Sequence, residues 1–358
     1  MSGRERSSTK KNLSCAVRVP DGAMSIPALC GLFISSEDRD NWARSPILTY
    51  FYKSQAGIDM LRSCEICPRN CKVNREAGQL GYCRMPAKIY AARAALHMWE
   101  EPCISGTSGS GTVFFSGCNL RCVFCQNHDI AIGDVGMEIS SERLVEIYLE
   151  LQEKGAANVN LVTPTHYIPQ IADSLVKAKS AGLSIPIVYN TGGYEKVESL
   201  KMLEGLIDIY LPDCKYFSSD LASAYSHAPD YFSINQAALQ EMYRQVGPAR
   251  FNGENGMMEH GMIIRHLCLP GQVKDSKKII HHLYDTFGDN VYLSIMNQYT
   301  PLSHVAHIPE LNRKLTEEEY ERIISYCIRL GVENAFIQEG DAAQESFIPS
   351  FTYEGLKP

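Results

Sequence analysis

The chain has 358 residues, of which 21% are charged and 45% are hydrophobic, and its formal net charge is −7 at pH 7. This length is enough to bury a sizeable core in one large α/β domain with an additional module. The negative charge argues against a protein that coats nucleic acid through its overall charge. Since no stretch approaches about 18 uninterrupted apolar residues, the sequence predicts no transmembrane helix.

The chain contains 13 cysteines, which is a high number. Their odd count and tight spacing, without a convincing signal peptide, favour metal binding in a reducing compartment over disulfides. We therefore expect a cytoplasmic protein. Residues 1–18 carry five basic side chains and one acidic one, which weakly resembles a transit peptide, although a disordered basic tail fits this composition better.

The sequence divides into three predicted segments. Residues 1–60 show no clear periodicity and are interpreted as an extension. Residues 61–110 are rich in Cys, Gly and Pro, which is typical of a small module held together by metal rather than by an apolar core. Residues 111–350 alternate between strand and helix patterns, and we expect them to form the main domain.

Four cysteines of the second segment have the spacing of metal ligands. Cys64 and Cys67 are separated by two residues, Cys67 and Cys71 enclose a Pro-Arg-Asn triplet, and eleven residues separate Cys71 from Cys83. Four thiolates suit either tetrahedral zinc or a closed iron–sulfur cluster, and the spacing leaves the choice of metal open. An iron–sulfur cluster would relay electrons, whereas zinc would only fold the module.

Strand and helix patterns alternate through the third segment. The predicted strands are 112–116, 158–163, 185–190, 207–211, 262–269, 291–296 and a less marked one at 335–338. Apolar side chains at helical spacing predict helices around 144–151 and 239–246, and Thr316 with Glu319 forms a capping box that predicts a third helix start. Strands that recur with helices between them predict a parallel sheet. Six main strands are too few for a closed eight-stranded barrel.

Three cysteines follow the first of these strands in the run S-G-C-N-L-R-C-V-F-C-Q-N. Cys118, Cys122 and Cys125 are separated by three and then two residues, so they can hold one [4Fe–4S] cluster and leave its fourth iron open for a small molecule. Gly117 permits a close backbone approach, and Phe124 suits a residue that covers a bound ligand. The alternative is three ordinary buried thiols.

This C-x-x-x-C-x-aromatic-C pattern after a first strand resembles the radical S-adenosylmethionine (SAM) superfamily. The resemblance implies a partial (β/α)₆ TIM-like barrel, here preceded by a Cys-rich module. It also implies a [4Fe–4S] cluster and SAM as cofactors, and an electron donor such as flavodoxin or ferredoxin. In such a barrel the reactive groups sit at the C-terminal ends of the strands.

Polar residues follow the predicted strands at those ends. Lys215 would hold a carboxylate, and Asp213 would bind a ribose hydroxyl or a cation. The pair resembles the Asp-x-Lys of pyruvate formate-lyase activating enzymes, and this resemblance implies that the acid helps to bind a monovalent cation near SAM. Arg265 in an apolar strand requires an anion from a ligand or a buried acid, and His166 would either bind the ligand or cap a helix. The Gly-Gly-Glu that many superfamily members carry after the second strand is missing. The candidate cofactor-binding residues are Thr163, His166, Asn190, Thr191, Asp213, Lys215, Arg265 and Gln298.

A narrower resemblance covers about residues 64–350. The C-P-R-N-C segment, followed by A-A-L-H-M-W-E-E-P-C-I-S-G at 94–106, is similar to pyruvate formate-lyase activating-enzyme-like radical SAM proteins. This resemblance implies that the substrate is a glycine of a partner enzyme, without identifying a catalytic residue. His97, Glu100, Glu101 and Cys103 in this segment either contact the ligands or form a packed linker.

Two alternatives remain open from the sequence. The same radical chemistry could modify another peptide, a small molecule or a nucleic acid. In a different class, the chain could be a non-catalytic iron–sulfur or zinc protein that serves as a sensor or scaffold. The charged strand ends argue against the second alternative.

Overall fold

The computed structural model describes residue 57, residues 59–338 and residues 349–357. These residues belong to a unit that spans Tyr52–Pro358. Most of the predicted extension at 1–60, including the segment that resembles a transit peptide, lies outside the described residues. Nothing in the described part tests the three predicted domain boundaries, which stay predictions.

The described residues form one open sheet of ten strands in the order β10-β9-β8-β6-β5-β4-β2-β1-β3, with β7 paired to β8. All neighbours from β2 through β10 on this path are parallel, whereas β1 pairs antiparallel with β2 and β3. The strands are β1 (Ile89–His97), β2 (Ser110–Phe115), β3 (Met137–Ile139), β4 (Val159–Val162), β5 (Ile187–Thr191), β6 (Ile209–Pro212), β7 (Arg250–Phe251), β8 (Met258–Leu267), β9 (Tyr292–Met296) and β10 (Ala335–Ile337).

Helices connect the parallel strands. They are α1 (Pro102–Ser105), α2 (His128–Ala131), α3 (Ser141–Glu153), α4 (Ile168–Ser180), α5 (Val197–Leu200), α6 (Ser219–Ser226), α7 (Tyr231–Val246), α8 (Val273–Phe287) and α9 (Glu317–Leu330). Short 3₁₀ turns lie at Thr165–Tyr167, Lys201–Leu203, Gly288–Asn290 and Ser303–Val305. Among the described helices, none is both long enough and apolar enough to cross a membrane.

The predicted mixed α/β architecture, with an open and mostly parallel sheet of the partial-barrel type, is confirmed. Each of the seven predicted strands overlaps an observed one, and the capping box of Thr316 and Glu319 opens α9. The sequence patterns missed β1, whose segment I-Y-A-A-R-A-A-L-H is rich in the strong helix former Ala. Pairing with β2 and β3 overrides that local preference.

The two faces of the parallel sheet have different partners. On β5, Ile187 and Tyr189 belong to the main core that also contains the helices, whereas Val188 packs with Cys103 and Ile104 of α1 on the other face. Because side chains alternate along a strand, Asn190 shares the face of Val188. The short helix α1 thus fills the base of the concave side, and polar side chains follow at the C-terminal strand ends.

Candidate functional site

The loop after β2 carries the three closely spaced cysteines. Gly117 has φ +83°, and a Cβ there would lie 2.4 Å from Met85 Cγ and 2.6 Å from the Cys83 carbonyl oxygen. Only glycine fits, so the loop backbone is pressed against the N-terminal Cys-rich segment. Further along the loop, Cys122 Sγ accepts a hydrogen bond of 2.9 Å from Ser226 Oγ.

The thiols of this loop oppose each other's ionisation. Burial raises the pKa of Cys118 to about 11, and the Cys122 thiolate adds to that shift. Burial likewise raises the pKa of Cys125 to about 12, with Cys122 and Cys118 contributing, while the Lys215 ammonium acts in the opposite direction. A metal centre ligates thiolates and supplies the positive charge that such a set needs. The donor set therefore fits a cluster.

The second group of cysteines also converges. Burial raises the pKa of Cys67, and the thiolates of Cys83, Cys64 and Cys71 add to the shift. A Cβ on Gly81 would lie 3.5 Å from Cys71 Sγ and 3.6 Å from Cys83 Sγ, so the backbone passes close to both sulfurs. The four predicted ligands are thus neighbours in space.

Neither group is closed around a single centre. Within the described residues, no three His, Cys, Asp or Glu side chains are arranged to hold a metal ion as they stand. The metal ligands stay predictions.

One arginine of the C-P-R-N-C segment joins the two cysteine groups. Arg69 Nε donates to the Asn119 carbonyl at 2.7 Å, and its Nη2 donates to the Ser226 carbonyl at 2.7 Å. Its guanidinium lies 3.9 Å from the centre of the Tyr82 ring, and the Tyr82 amide donates to Cys71 Sγ at 3.2 Å. Sequence reasoning missed this role, although an arginine between two metal-spaced cysteines was a signal for it.

The buried arginine of β8 is satisfied by the protein itself. Arg265 Nε donates to Asp213 Oδ1 at 3.1 Å, Nη1 donates to Glu100 Oε2 at 3.2 Å, and Nη2 donates to Asn190 Oδ1. Lys215 Nζ donates to the other Asp213 oxygen at 2.5 Å. The sequence left open whether a ligand or a buried acid pairs with Arg265. In the structure two buried acids, Asp213 and Glu100, pair with it.

The charges in this network shift one another's pKa values. Burial by itself would raise the pKa of Asp213, but Lys215 and Arg265 hold it below its usual range. The pKa of Glu100 is raised by burial, although Arg265 and an Asn160 hydrogen bond oppose that shift. Asp213 is thus a fixed negative charge between two cations. Glu100 and Asn160 were not assigned to this network from the sequence, because their partners are far away in the chain.

A cavity of about 610 Å³ opens at the C-terminal strand ends. Of the eight predicted cofactor-binding residues, Asn190, Arg265 and Gln298 line it. Gln126 and Asn127, which come directly after Cys125, line it as well, so the cavity reaches the cysteine loop. His97, Trp99, Glu100 and Glu101 of the polar segment before the barrel also contribute to its wall.

His166 and Thr163 are not among the side chains that line this cavity. His166 Nε2 meets the Ser116 carbonyl at 2.7 Å, and burial lowers the pKa of the ring to about 3, so the ring is neutral at pH 7. This contact fixes the start of the cysteine loop. Thr163 adopts φ +58°, and its amide donates to the Asn190 carbonyl at 2.9 Å.

Thr191 belongs to a buried polar cluster rather than to the cavity wall. Its hydroxyl donates to the Glu195 carboxylate, which also accepts a hydrogen bond of 2.8 Å from Thr165. Burial raises the pKa of Glu195 to about 7. Phe124 is likewise in a core, where its ring lies 6.2–6.3 Å from the rings of Tyr216, Tyr225 and Tyr299.

Comparison with known families agrees with this geometry. Residues 112–240 match the radical SAM superfamily model. Proteins of this superfamily typically bind a [4Fe–4S] cluster and SAM, and the match supports an enzyme of that class.

Two proteins of Methanocaldococcus jannaschii are similar to the chain. The uncharacterized protein MJ0674 is 29% identical over 290 residues, which cover 78% of this chain and 79% of that protein. The uncharacterized protein MJ0808 is 26% identical over 178 residues, or 42% of this chain and 52% of that protein. Neither name gives a substrate.

Proposed function

We propose that this protein uses Cys118, Cys122 and Cys125 to hold a [4Fe–4S] cluster and acts on a substrate bound in the cavity at the strand ends. A [4Fe–4S] cluster held by these three cysteines would, when reduced, supply the one electron needed to cleave SAM into methionine and a 5′-deoxyadenosyl radical, and that radical would take a hydrogen atom from the substrate. The observation that carries the proposal is the position of the cavity. It extends from Gln126 and Asn127, directly after the last cysteine, to the polar strand ends.

The chain's own residues prepare this site in two ways. Lys215 is held beside the cysteine loop by Asp213, and the negative charges of Asp213, Cys122 and Cys125 raise the pKa of its ammonium even though burial opposes that shift. Its positive charge favours the thiolates. Val188 and Ile104 pack in a buried apolar cluster on the same face of the sheet as Asn190, which lines the cavity.

The test compares the wild-type protein with the triple variant Cys118→Ala/Cys122→Ala/Cys125→Ala. Both are reconstituted anaerobically and mixed with dithionite and SAM, and 5′-deoxyadenosine is measured by mass spectrometry. We expect product from the wild type and none from the variant. Cys327→Ala, which removes a buried thiol of α9 outside both cysteine groups, is the control and should retain the product.

A cluster without SAM cleavage would contradict the enzyme proposal. If the wild type carries a spectroscopically confirmed cluster but forms no 5′-deoxyadenosine with dithionite or with reduced flavodoxin, the enzyme proposal fails. The sensor or scaffold alternative then replaces it.

We also propose a second metal site at Cys64, Cys67, Cys71 and Cys83. Their mutual proximity and the close passage of Gly81 support it. The thiolate set accepts zinc or iron–sulfur, and metal analysis decides between them.

We propose that the substrate is a glycine of a partner enzyme. We also propose that the protein acts in the cytoplasm and that flavodoxin or ferredoxin is the reductant. The support for the substrate is the resemblance of residues 64–350 to activating-enzyme-like proteins. The test is electron paramagnetic resonance of a co-purified partner after reaction with SAM and reductant. A glycyl radical signal supports the proposal, and its absence with full SAM cleavage favours another peptide, a small molecule or a nucleic acid.

A further inference from the structure

Glu101 is a buried carboxylate on the wall of the cavity. It precedes α1, is 9% exposed, and lines the cavity beside Glu100. The Ser294 hydroxyl donates a hydrogen bond to the carboxylate. Within the described part of the chain, its other oxygen, Oε2, is buried without a hydrogen-bond partner.

The charges around Glu101 do not balance. Three carboxylates lie together, those of Asp213, Glu100 and Glu101, and the cations that face them are Arg265 and Lys215. The nitrogens of Arg265 already donate to Asp213, Glu100 and Asn190. Lys215 is paired with Asp213. Among the described residues, Glu101 is therefore the one of the three carboxylates that has no ion pair. Burial raises its pKa, with Glu100 adding to the shift and Arg265 opposing it, so a cation that joined the carboxylate would favour its ionised form.

Two aromatic side chains, Trp99 and His97, also line this cavity. Trp99 is 65% exposed and lines the same cavity, and the face of an indole ring attracts cations. His97, also on the wall, has its pKa lowered by burial and by Arg93, so it adds no positive charge near pH 7. The cavity thus offers a carboxylate and an indole to a positively charged group, and no free protein cation competes among the described residues of its wall.

We propose that Glu101 binds a cationic nitrogen group, an ammonium or a guanidinium, of the ligand that fills this cavity. The inference rests on the proposed function and specifies the chemistry of its ligands. Two ligands could bring that group, since SAM carries an α-ammonium and a substrate could carry an amine or a guanidine. Binding measurements separate these two sources.

The first arm tests SAM. Isothermal titration calorimetry on anaerobically reconstituted protein compares wild type, Glu101→Gln and the control Glu153→Gln, which alters an exposed acid at the end of α3. The probes are S-adenosylhomocysteine, which keeps the α-ammonium, and 5′-methylthioadenosine, which lacks it. If SAM supplies the cation, Glu101→Gln weakens S-adenosylhomocysteine binding by about 10- to 100-fold, as expected for a charge-assisted hydrogen bond, and leaves 5′-methylthioadenosine unchanged.

The second arm tests the substrate with S-adenosylhomocysteine present at saturation. The probes are the N-acetyl amides of lysine, arginine and norleucine. If the substrate supplies the cation, Glu101→Gln weakens binding of the lysine or arginine probe by a similar factor and leaves the norleucine probe unchanged. The inference is overturned if Glu101→Gln alters no cationic probe, including the case in which none binds the wild type, or if it weakens cationic and neutral probes equally.

The melting temperature of the ligand-free protein distinguishes a binding role of Glu101 from a structural one. Because Glu101 has no ion pair in the described part of the chain and one of its oxygens has no hydrogen-bond partner there, Glu101→Gln should leave the melting temperature of the ligand-free protein unchanged or raise it. If that variant fails to fold, Glu101→Asp keeps the charge but withdraws it from the ligand, and it should weaken the cationic probes alone. Failure of the proposed function would appear separately, as absence of 5′-deoxyadenosine from wild-type protein whose probe binding still depends on Glu101.

Discussion

At the scale of single residues, Arg265 shows how a buried charge organises the strand ends. It lies within β8 and pairs with Asp213, which directly follows β6, and with Glu100 from the segment before α1, so that the three side chains form one network. Such a network fixes side chains at the cavity wall, because each partner is costly to leave unpaired in the interior.

Removing this arginine should therefore destabilise the protein strongly. We expect Arg265→Met to lower the free energy of unfolding by about 3–5 kcal/mol, since Asp213 and Glu100 would each lose a buried partner. Urea denaturation of wild type and variant measures the loss. The matched control is Arg250→Met on the edge strand β7, where the side chain is exposed.

A double variant separates the effect of the charge from that of packing. Adding Glu100→Gln to Arg265→Met removes one unpaired acid, so part of the lost stability should return. A loss no larger for Arg265→Met than for Arg250→Met would contradict the role of the network.

At the scale of elements, one face of β5 carries both packing and cavity residues. Val188 and Asn190 lie on one face of β5, and only the second of them reaches the cavity, because α1 covers the first. The helix is only four residues long, and it is held by packing against residues of β5, β6 and β8 rather than by its own propensity. Short elements of this kind position the polar segment that contains Glu100 and Glu101.

The capping box of α9 gives a prediction about pH. The Glu319 carboxylate accepts hydrogen bonds from Arg313 and from the amides of Thr316 and Gly271, and these contacts, Arg313 first, lower its pKa from 4.5 to about 2. A carboxyl group whose pKa is lowered in the folded state stabilises the fold at pH values above its unfolded-state pKa. That contribution disappears as the pH falls from 4.5 towards 2.

We expect Glu319→Gln to lower the free energy of unfolding by about 1–2 kcal/mol at pH 7. The difference from wild type should shrink as the pH drops below 4.5, because the wild-type carboxylate is then protonated. Urea denaturation between pH 7 and pH 3 measures it. Glu317→Gln on the same helix turn is the control, and a difference that stays constant with pH would contradict the assignment.

At the scale of the whole molecule, the two cysteine groups form one connected region. Arg69 binds the backbone of the Cys118 loop while its guanidinium lies against Tyr82, and Gly117 touches the Cys83 backbone. Folding of the Cys-rich segment and the conformation of the cysteine loop after β2 are therefore coupled through direct contacts.

This coupling predicts the effect of losing the second metal. If the proposed second metal is bound by the N-terminal cysteines, Cys67→Ala should remove it and lower the melting temperature, because metal binding contributes directly to folding. Iron, sulfide and zinc analysis distinguishes the metals. About four iron atoms lost per chain indicate a second cubane, and about one zinc lost indicates a zinc site.

Cys327→Ala is again the matched control and should keep the full metal content. A Cys67→Ala variant with unchanged iron and zinc would show that these four thiols bind no metal. Retention of 5′-deoxyadenosine formation by Cys67→Ala would show in addition that the second metal is not required for SAM cleavage.

Some features of the site follow from local sequence. The spacing of Cys118, Cys122 and Cys125 and the alternation of strand and helix patterns are properties of neighbouring residues, so the radical SAM domain and the open parallel sheet were predictable. The strand β1 was not, because its alanine-rich segment becomes a strand only through pairing with β2 and β3.

The sequence by itself determined which residues could serve the chemistry, and the tertiary structure decided which of them meet. Arg265 pairs with Glu100 at a separation of 165 positions, and Arg69 contacts Ser226 across 157 positions. No local pattern encodes such pairs, since they depend on how the sheet brings distant elements to one edge. For the same reason His166, which follows β4, and Thr191, the last residue of β5, contact buried backbone and side chains instead of the cavity.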